Sequence, residues 1–458
     1  MVAPTVRIIE TPTLGNRSYV VHDGVVALAI DPPRDIDRIV ETLEADGVEL
    51  VAVFETHIHN DYVTGGLALA DRFSATYHVH AQDSVAFDRR PIVGGDSVDV
   101  GDRLQVTAVA TPGHTFHHLS YRIDDRADDR VIGIFTGGSL LYGATGRPDL
   151  LGPEHTDELV AHQYESAQRL AELVPADTPV FPTHGFGSFC AAGASAAPSD
   201  GSTVAEEVAS NPVFDHDRDR WIDAVLDGLG EYPAYYAHVG PRNLAGPDAP
   251  DLSPPESADR EEIRRRLAGG EWVVALRHRS AFAAAHRPGT VNFGIDGSLA
   301  TYVGWLIPWG TPITLVAERP EDIAAAQREL VRIGIDRPAA AATGDPADWS
   351  DGPTASFPTA TFADLAEVRS HRPVAVLDVR RRDETVAGAI DGASTIPLSE
   401  LLERMDELPD AEIWVHCAGG YRASIGASMV AAAGHRVVAV DDAFDAAVDA
   451  GLPLTVER

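Results

Sequence analysis

The chain has 458 residues, a length that predicts about three domains. It is 44% hydrophobic and carries a formal net charge of −34, with no lysine among its basic residues. The ordinary apolar content argues against disorder, and so acidic a surface repels nucleic acid and anionic membranes, which we exclude as partners. Surfaces of this kind are typical of proteins from salt-loving (halophilic) microbes.

The sequence also bears on the compartment of the protein. It has no run of about 18 apolar residues, so no transmembrane helix is expected. Residues 1–10 lack a basic stretch followed by an apolar core, so no signal peptide is expected. Cys190 and Cys417 lie far apart and make no disulfide framework, which favours a reducing cytoplasm.

Hydrophobic patterning predicts interleaved strands and helices over residues 1–245. A turn signal at Asp23-Gly24 separates two predicted strands, 18–21 and 25–30, as in a hairpin. Further strands are predicted at 50–54, 106–110, 119–123 and 131–135, and helices at 35–46, 156–173, 202–208 and 217–228.

The second half of the chain contains an internal repeat. Segments rich in Pro, Asp, Ala and Gly predict linkers at 246–257 and 338–358. The two stretches that they delimit share a helix followed by two buried strands, which are predicted at 272–276 and 313–316 and again at 374–378 and 413–416. A repeat of this size indicates duplicated domains. The predicted domain boundaries are 1–245, 256–340 and 358–458.

The most informative motif directly follows the strand at 50–54 and runs Glu55-Thr56-His57-Ile58-His59-Asn60-Asp61. Side chains alternate along an extended segment, so His57, His59 and Asp61 are expected on one side. Imidazole nitrogens bind zinc or ferrous iron. The motif therefore predicts a metal site at the end of a strand.

Two more histidines follow predicted strands beside Pro or Gly. His114 lies in Thr111-Pro112-Gly113-His114-Thr115, and His184 lies in Phe181-Pro182-Thr183-His184-Gly185. Loops at strand ends build sites on a rigid scaffold. The strings THIHND, TPGHT, TGGSLL and PTHG, in this order, resemble the metallo-β-lactamase fold, and more closely its persulfide dioxygenase and glyoxalase II branch. Over residues 5–240 the resemblance implies a four-layer αββα sandwich with a metal at one edge of the sheets.

Two positions depart from that branch. Tyr62 stands where its motif ends in histidine, and Gly138 stands where an aspartate bridges two metals or binds iron. A site for two metals is therefore not expected. On the same resemblance, Gly138→Asp should restore the carboxylate of the family and tighten iron binding.

The residues that remain predict a mononuclear site. Its expected ligands are His57, His59 and His114, which suffice for one Fe(II) or Zn(II). Asp61 and His184 are expected to be weaker ligands, or groups that orient the ligands.

Cys417 lies in His416-Cys417-Ala418-Gly419-Gly420-Tyr421-Arg422, between a buried strand and an Ala-rich helix. Backbone N–H groups and a helix N-terminus stabilise an anion in such a loop, which favours the thiolate. The pattern C-x-x-G-x-R resembles the active loop of rhodanese sulfurtransferases. The resemblance implies that Cys417 carries sulfur and that Arg422 binds an anionic donor or acceptor through two hydrogen bonds.

The preceding repeat has no cysteine in the corresponding loop at 317–322, so it is predicted to be a degenerate rhodanese-like domain that is structural or binds a partner. Taken together, the predicted fold class is α/β and α+β, with an αββα sandwich followed by two rhodanese-like α/β domains that have parallel sheets. A homodimer is common in the first of these folds.

Three functions remain open from the sequence. The first is a persulfide dioxygenase fused to a thiosulfate sulfurtransferase, whose partners are a low-molecular-weight thiol persulfide and thiosulfate or sulfite. The second is a zinc-dependent thioester hydrolase of glyoxalase II type. The third is a sulfurtransferase whose first domain is a metal-free scaffold.

The acidic composition gives a testable prediction about salt. The Debye length falls from about 30 Å at 0.01 M salt to about 3 Å at 1 M, so added salt screens the repulsion among the excess carboxylates. The melting temperature should rise over this range. A melting temperature that is flat or falls, measured by calorimetry in NaCl, would contradict this expectation.

Overall fold

The computed structural model describes residues 3–192 and 201–455. The chain divides into two compact units. The first is Met1–Pro250 with the short segment Val331–Gly334, and the second is Asp251–Leu330 with Ile335–Arg458. Among the described residues, no helix is both long enough and apolar enough to cross a bilayer.

The first unit holds two large sheets, a small sheet and seven helices among its described residues. Its strands are β1 (Thr5–Thr11), β2 (Asn16–His22), β3 (Val26–Ile30), β4 (Glu49–Phe54), β5 (Thr76–His80), β6 (Arg90–Ile92), β7 (Ser97–Val100), β8 (Leu104–Ala110), β9 (Leu119–Asp125), β10 (Arg130–Gly137), β11 (Leu140–Leu141), β12 (Ala144–Gly146), β13 (Pro179–Pro182), β14 (Ala191–Ala192) and β15 (Ser202–Thr203). Its helices are α1 (Asp37–Asp46), α2 (Gly66–Phe73), α3 (Pro153–Leu173), α4 (Val204–Ser210), α5 (Pro212–Asp215), α6 (Arg218–Asp227) and α7 (Tyr236–Ala245).

These elements stack in four layers. The first large sheet has the order β1-β2-β3-β4-β5-β6, and the second has the order β15-β13-β10-β9-β8-β7. Tyr19 and Phe54 of the first sheet meet Tyr121 and Phe135 of the second in one buried cluster. A second cluster lies between the first sheet and α1 with α2, and a third lies between the second sheet and α3 with α6. The unit is therefore the predicted αββα sandwich.

Strand direction places the candidate metal residues together. In the second sheet β13 runs parallel to β10, and β8 does so too because both pair antiparallel with β9. His57 of the first motif follows β4 of the first sheet. In the second sheet His114 follows β8, Gly138 follows β10, and His184 follows β13. Strands that run the same way end at the same edge, so these loops gather at one edge of the sandwich.

The second unit contains two further sheets and a short strand pair. Its strands are β16 (Glu256–Ser257), β17 (Trp272–Ala275), β18 (Val291–Asn292), β19 (Ile313–Ala317), β20 (Ala340–Thr343), β21 (Thr359–Ala360), β22 (Ala375–Asp378), β23 (Ala389–Ile390), β24 (Ser394–Thr395), β25 (Glu412–His416), β26 (Arg436–Val440) and β27 (Leu454–Thr455). Its helices are α8 (Arg260–Ala268), α9 (Arg279–Ala284), α10 (Leu299–Leu306), α11 (Pro320–Arg332), α12 (Phe362–His371), α13 (Arg382–Val386), α14 (Tyr421–Ala432) and α15 (Asp445–Asp449), with a 3-10 turn at Met405–Glu407.

The two sheets of this unit have the same topology. Their orders are β16-β20-β19-β17-β18 and β21-β26-β25-β22-β24, and every pairing in both is parallel. In each sheet the first and last strands of the repeat sit side by side at one edge. The duplication expected from the sequence is thus visible in the strand order. One buried hydrophobic cluster runs through both halves, from Val274 and Val303 to Val379 and Val415.

Some predicted segments differ from the structure. The predicted linker 338–358 contains β20, which lies between β16 and β19 in its sheet. The reason is its composition, since the alanines of Ala340–Thr343 are small enough to pack in a sheet while resembling a linker in sequence. The helix predicted at 202–208 starts later, because Ser202–Thr203 pairs with β13 and Thr203 then caps α4.

Candidate functional site

The orientation of His57 is set by a chain of hydrogen bonds. The Thr56 hydroxyl donates to Asp31 Oδ2 at 2.7 Å, so it can only accept from His57 Nδ1, 2.9 Å away. His57 therefore carries its proton on Nδ1 and presents the lone pair of Nε2. Burial and neighbouring histidines hold the pKa of His57 well below its usual value, which keeps the ring neutral.

His114 is oriented in the same sense by the backbone. Its Nδ1 donates to the carbonyl oxygen of Arg147 at 2.8 Å, which again leaves the lone pair on Nε2. Burial, together with the nearby His184, lowers the pKa of His114 to about 3. The ring is fully buried and neutral, the form in which imidazole binds a metal.

His184 completes the set. Its Nδ1 lies 3.0 Å from Asn16 Oδ1 and 3.2 Å from Asp61 Oδ2, and its Nε2 lies 3.4 Å from Nε2 of His57. The Asp61 carboxylate also accepts a hydrogen bond from Asn16 Nδ2 at 2.8 Å. A carboxylate on the outer nitrogen of a histidine fixes the tautomer of a metal ligand.

The three histidines fit a single metal ion. His57, His114 and His184 are buried and offer ligand atoms that all lie within 4.8 Å of one another. Tetrahedral zinc with Zn–N bonds of about 2.0–2.1 Å places its nitrogens about 3.3–3.4 Å apart. The 3.4 Å separation of the His57 and His184 Nε2 atoms matches that spacing.

The ligands predicted from the sequence are His57, His59 and His114. In the structure His184, and not His59, lies with His57 and His114. Nε2 of His59 lies 3.0 Å from the Tyr62 hydroxyl and 3.3 Å from a carboxylate oxygen of both Asp31 and Glu55. Burial alone would lower the pKa of His59, but these two carboxylates raise it to about 10. A protonated imidazole must lose its proton before it can bind a metal.

Two further groups of possible ligands lie beside the first, and one of them is Asp31, Glu55 and His59. His59, Asp61 and His184 also offer atoms within 4.8 Å of one another, but this group shares His184 with the first one. Burial would raise the pKa of Asp61, whereas His184 and His59 lower it far below its usual value. Asp61 therefore serves as an ionised partner that orients His184.

Gly138 explains the missing carboxylate. A Cβ atom at Gly138 would lie 2.2 Å from Cδ2 of His114 and 2.9 Å from its Nε2, so the imidazole fills the space of a side chain. A Cβ at Gly146 would likewise lie 2.9 Å from Nδ1 of the same ring. Gly138→Asp was predicted to restore a ligand, but a Cβ at this position meets the ring of His114, so the substitution is expected to displace that ring.

Sequence reasoning missed several groups that support the site. His118 is buried, with Nδ1 on the Thr111 hydroxyl at 2.8 Å and Nε2 accepting from the N–H of Gly138 at 3.0 Å. Both nitrogens are used, so His118 holds the Gly138 loop. Its position three residues after the last threonine of TPGHT was a usable signal. No sequence signal marks the roles of Arg147 and Asn16, because their partners lie more than thirty residues away in the chain.

The loop of Cys417 forms a small anion cradle. Its Sγ accepts hydrogen bonds from the N–H groups of Gly420 at 3.1 Å and Gly419 at 3.4 Å. Gly420 has a φ of +88°, which favours glycine, and α14 begins at the next residue. The side chain of Cys417 is buried. These donors favour a thiolate or a persulfide anion at Sγ.

Arg422 meets a carboxylate within the protein. Its two terminal nitrogens bond to Glu384 at 2.5 and 2.8 Å. The bidentate face that the sequence predicted for an anionic ligand is thus used by Glu384 in this structure. These two bonds use two of the five guanidinium N–H groups, so three remain for other acceptors.

Comparison with known folds agrees with both halves of the chain. Residues 361–450 match the family model described as a rhodanese-like domain. A solved metallo-beta-lactamase from Staphylococcus aureus subsp. aureus COL is similar with a TM-score of 0.65 and 22% identity, covering 74% of this chain and 99% of that one. At that identity it shows the fold alone. The predicted fold, a metallo-β-lactamase sandwich joined to a rhodanese domain, is confirmed.

Curated relatives resemble the first half of the chain. A hydroxyacylglutathione hydrolase of Synechococcus sp. (strain JA-3-3Ab) is 30% identical over 236 residues, which are 46% of this chain and 89% of that protein. One of Methylobacillus flagellatus is 31% identical over 170 residues, 37% of this chain and 62% of that protein. The chain thus spans less than two thirds of the second relative.

Two variants separate metal binding from folding at this site. His184→Ala removes a nitrogen from the metal set and should abolish tight binding of Zn(II) or Fe(II). His59→Gln leaves Asp31 and Glu55 without their cation and should lower the free energy of unfolding by about 3–5 kcal/mol, with the three metal nitrogens intact. Metal content and urea unfolding measure the two effects. Loss of metal only in His59→Gln would reverse the assignment.

A glycine substitution tests the steric argument at the loop after β10. Gly138→Asp and Gly138→Ala should both weaken metal binding, because either Cβ displaces the ring of His114. Gly352→Ala, where a Cβ meets no atom within 4 Å, is the matched control. Tighter iron binding in Gly138→Asp, measured by titration under argon, would show that the loop makes room for the carboxylate.

Proposed function

Although over its first half the chain belongs to the hydroxyacylglutathione hydrolase family, we propose from the arrangement of its metal site that it is a mononuclear metalloenzyme that oxidises thiol persulfides and passes sulfane sulfur through Cys417. The observation that carries the proposal is the convergence of His57, His114 and His184 while His59 is held by Asp31 and Glu55. That arrangement leaves one metal position where a two-metal hydrolase needs two.

The side chains of the site have distinct tasks. His57, His114 and His184 would hold the metal, which when bound as Fe(II) supplies the redox step with dioxygen and when bound as Zn(II) supplies a Lewis acid. Asp61 keeps the proton of His184 on Nδ1, and Thr56 does the same for His57. Both contacts hold the lone pairs on Nε2, so the ligands need no rearrangement when a metal enters.

The proposed oxidation balances with water and dioxygen. One thiol persulfide, one dioxygen and one water give one free thiol and one sulfite with two protons. The two sulfur atoms together lose four electrons, and dioxygen gains four. The thiol product keeps the inner sulfur, and the outer sulfur leaves as sulfite.

Sulfur transfer at Cys417 uses sulfite as a partner. A persulfide on Sγ carries one sulfane sulfur, and attack by sulfite on that outer sulfur forms thiosulfate while the Sγ thiolate leaves with the electron pair. The N–H groups of Gly419 and Gly420 stabilise the sulfur anion on either side of this step. The metal site would thus produce sulfite, and Cys417 would consume it.

A thioester hydrolase is the second candidate. It is supported by the hydroxyacylglutathione hydrolase names of the curated relatives. A three-histidine zinc site with an open position also suits hydrolysis. The absence of a carboxylate at Gly138 weakens this candidate, because it removes the group that bridges two metals in that branch.

The metal and its substrate discriminate between the two candidates. Protein purified under argon should contain one Fe(II) per chain and consume dioxygen when given glutathione persulfide, releasing sulfite. His57→Ala should lose both iron and oxygen uptake. One zinc per chain with release of thiol from S-lactoylglutathione and no oxygen uptake would establish the hydrolase. A metal-free protein would reject both.

Substituting serine for each cysteine in turn tests whether Cys417 carries sulfur. Cys417→Ser should abolish transfer of sulfur from thiosulfate to cyanide and leave the metal content unchanged. Cys190→Ser is the matched control, since burial raises the pKa of the Cys190 thiol well above its usual value and its Sγ contacts the Tyr236 hydroxyl. Retention of transfer in Cys417→Ser would remove the carrier role.

A further inference from the structure

A further group of possible metal ligands shares no residue with the three-histidine site. His80 is the last residue of β5, and Asp83 lies in the turn that follows it. His117 lies in the loop between β8 and β9, three residues after His114. The side chains of His80, Asp83 and His117 offer ligand atoms that all lie within 4.8 Å of one another.

The carboxylate of Asp83 is only partly satisfied by its protein neighbours. Its side chain is 11% exposed, and its Oδ1 accepts a hydrogen bond from Nδ1 of His117 at 2.8 Å. Its Oδ2 is buried and has no hydrogen-bond partner among the described residues. Arg89, farther along the loop, donates instead to the backbone carbonyl oxygens of Ala81 and Asp83. A buried carboxylate oxygen without a partner is costly, so a cation bound there would stabilise it.

The two histidines of this group supply nitrogen ligands. Burial lowers the pKa of His80, so its ring is neutral, the form in which imidazole binds a metal. The lone pair of its Nδ1 accepts a hydrogen bond from the N–H of Gln82 at 3.2 Å, in an exposed turn. The rings of His80 and His117 lie 6° from parallel, with their centroids 5.0 Å apart. The side chain of His117 is 36% exposed, so an ion can reach the group and the ring has room to adjust.

From this geometry we propose that His80, Asp83 and His117 form an outer site for one divalent transition-metal ion. Two imidazole nitrogens and one carboxylate suit Zn(II) or Fe(II). Mg(II) and Ca(II) prefer sites made of oxygen atoms, so neither should compete for this one. Water completes the coordination, because the side chain of His117 is only partly covered.

An ion at the outer site would connect the two large sheets of the sandwich. His80 belongs to β5 of the first sheet, and His117 follows β8 of the second. The loop that carries His117 also carries His114, so the outer ion would limit the movement of a ligand of the three-histidine site. It would also stabilise the protein, because it binds the folded state and not the unfolded chain. The inference does not depend on the reaction proposed for the three-histidine site.

Zinc titration of the full-length protein tests the outer site. Dialysis against a weak chelator should remove an ion that solvent reaches at His117 and leave the ion among the three buried histidines. The dialysed wild-type protein should then bind one further Zn(II) in calorimetry, and its melting temperature should rise. The same excess of Mg(II) should neither bind nor displace the zinc.

Three variants remove one ligand each from the outer site. Asp83→Asn, His80→Gln and His117→Ala should each lose the further equivalent of Zn(II) and the rise in melting temperature. Each should keep the ion of the three-histidine site, measured by metal analysis after dialysis. His184→Ala should show the opposite pattern, which separates failure of the outer site from failure of the proposed enzyme.

His162→Ala is the matched control. The side chain of His162 is 37% exposed and its Nε2 lies 3.6 Å from Glu158, but it belongs to no group of three ligands among the described residues. This variant should bind the further Zn(II) as the wild type does. A wild-type protein that takes up no further zinc would show that Asp83 and His117 form a hydrogen-bonded pair only, and would overturn the outer site. Uptake that is unchanged in all three ligand variants would overturn it too.

Discussion

The metal-binding edge depends on one buried carboxylate. Asp31 follows β3 with a φ of +50° and is fully buried. It accepts hydrogen bonds from the backbone and hydroxyl of Thr56, which follows β4 of the first sheet, and from the hydroxyl of Thr183, which follows β13 of the second. It also pairs with His59. A buried charge persists only when such partners replace water, so the loops that carry the ligands are held in place wherever this carboxylate is ionised.

The two departures from the family pattern have physical counterparts here. Tyr62 donates to the backbone carbonyl of Asp31 and accepts from His59. Where the family has a histidine ligand, this chain therefore has a phenol that hydrogen-bonds the protonated His59. Gly138 makes room for the ring of His114. His57, His114 and His184 offer ligand atoms within 4.8 Å of one another, and each has a hydrogen-bond partner for its Nδ1.

The sequence was sufficient for the sandwich, the duplicated parallel sheets and the positions of His114, His184 and Cys417 at strand ends. It was insufficient for His59, because alternation assumes an extended chain and β4 already ends at Phe54. The other contacts could not be predicted because their partners lie far apart in the sequence. The partner of Arg422 lies 38 residues away, and no local pattern reports a glycine whose missing side chain is replaced by a ring from another loop.

The continuous hydrophobic cluster through both parallel sheets has a consequence for how the protein opens. Val274 and Val303 share one hydrophobic core with Val379 and Val415. Neither half can therefore expose the core-facing side of its sheet without exposing apolar side chains of the other half. Amide protons in the two halves should therefore exchange with solvent as one cooperative block. Deleting the copy without a cysteine should therefore expose apolar side chains of the other copy that it now covers.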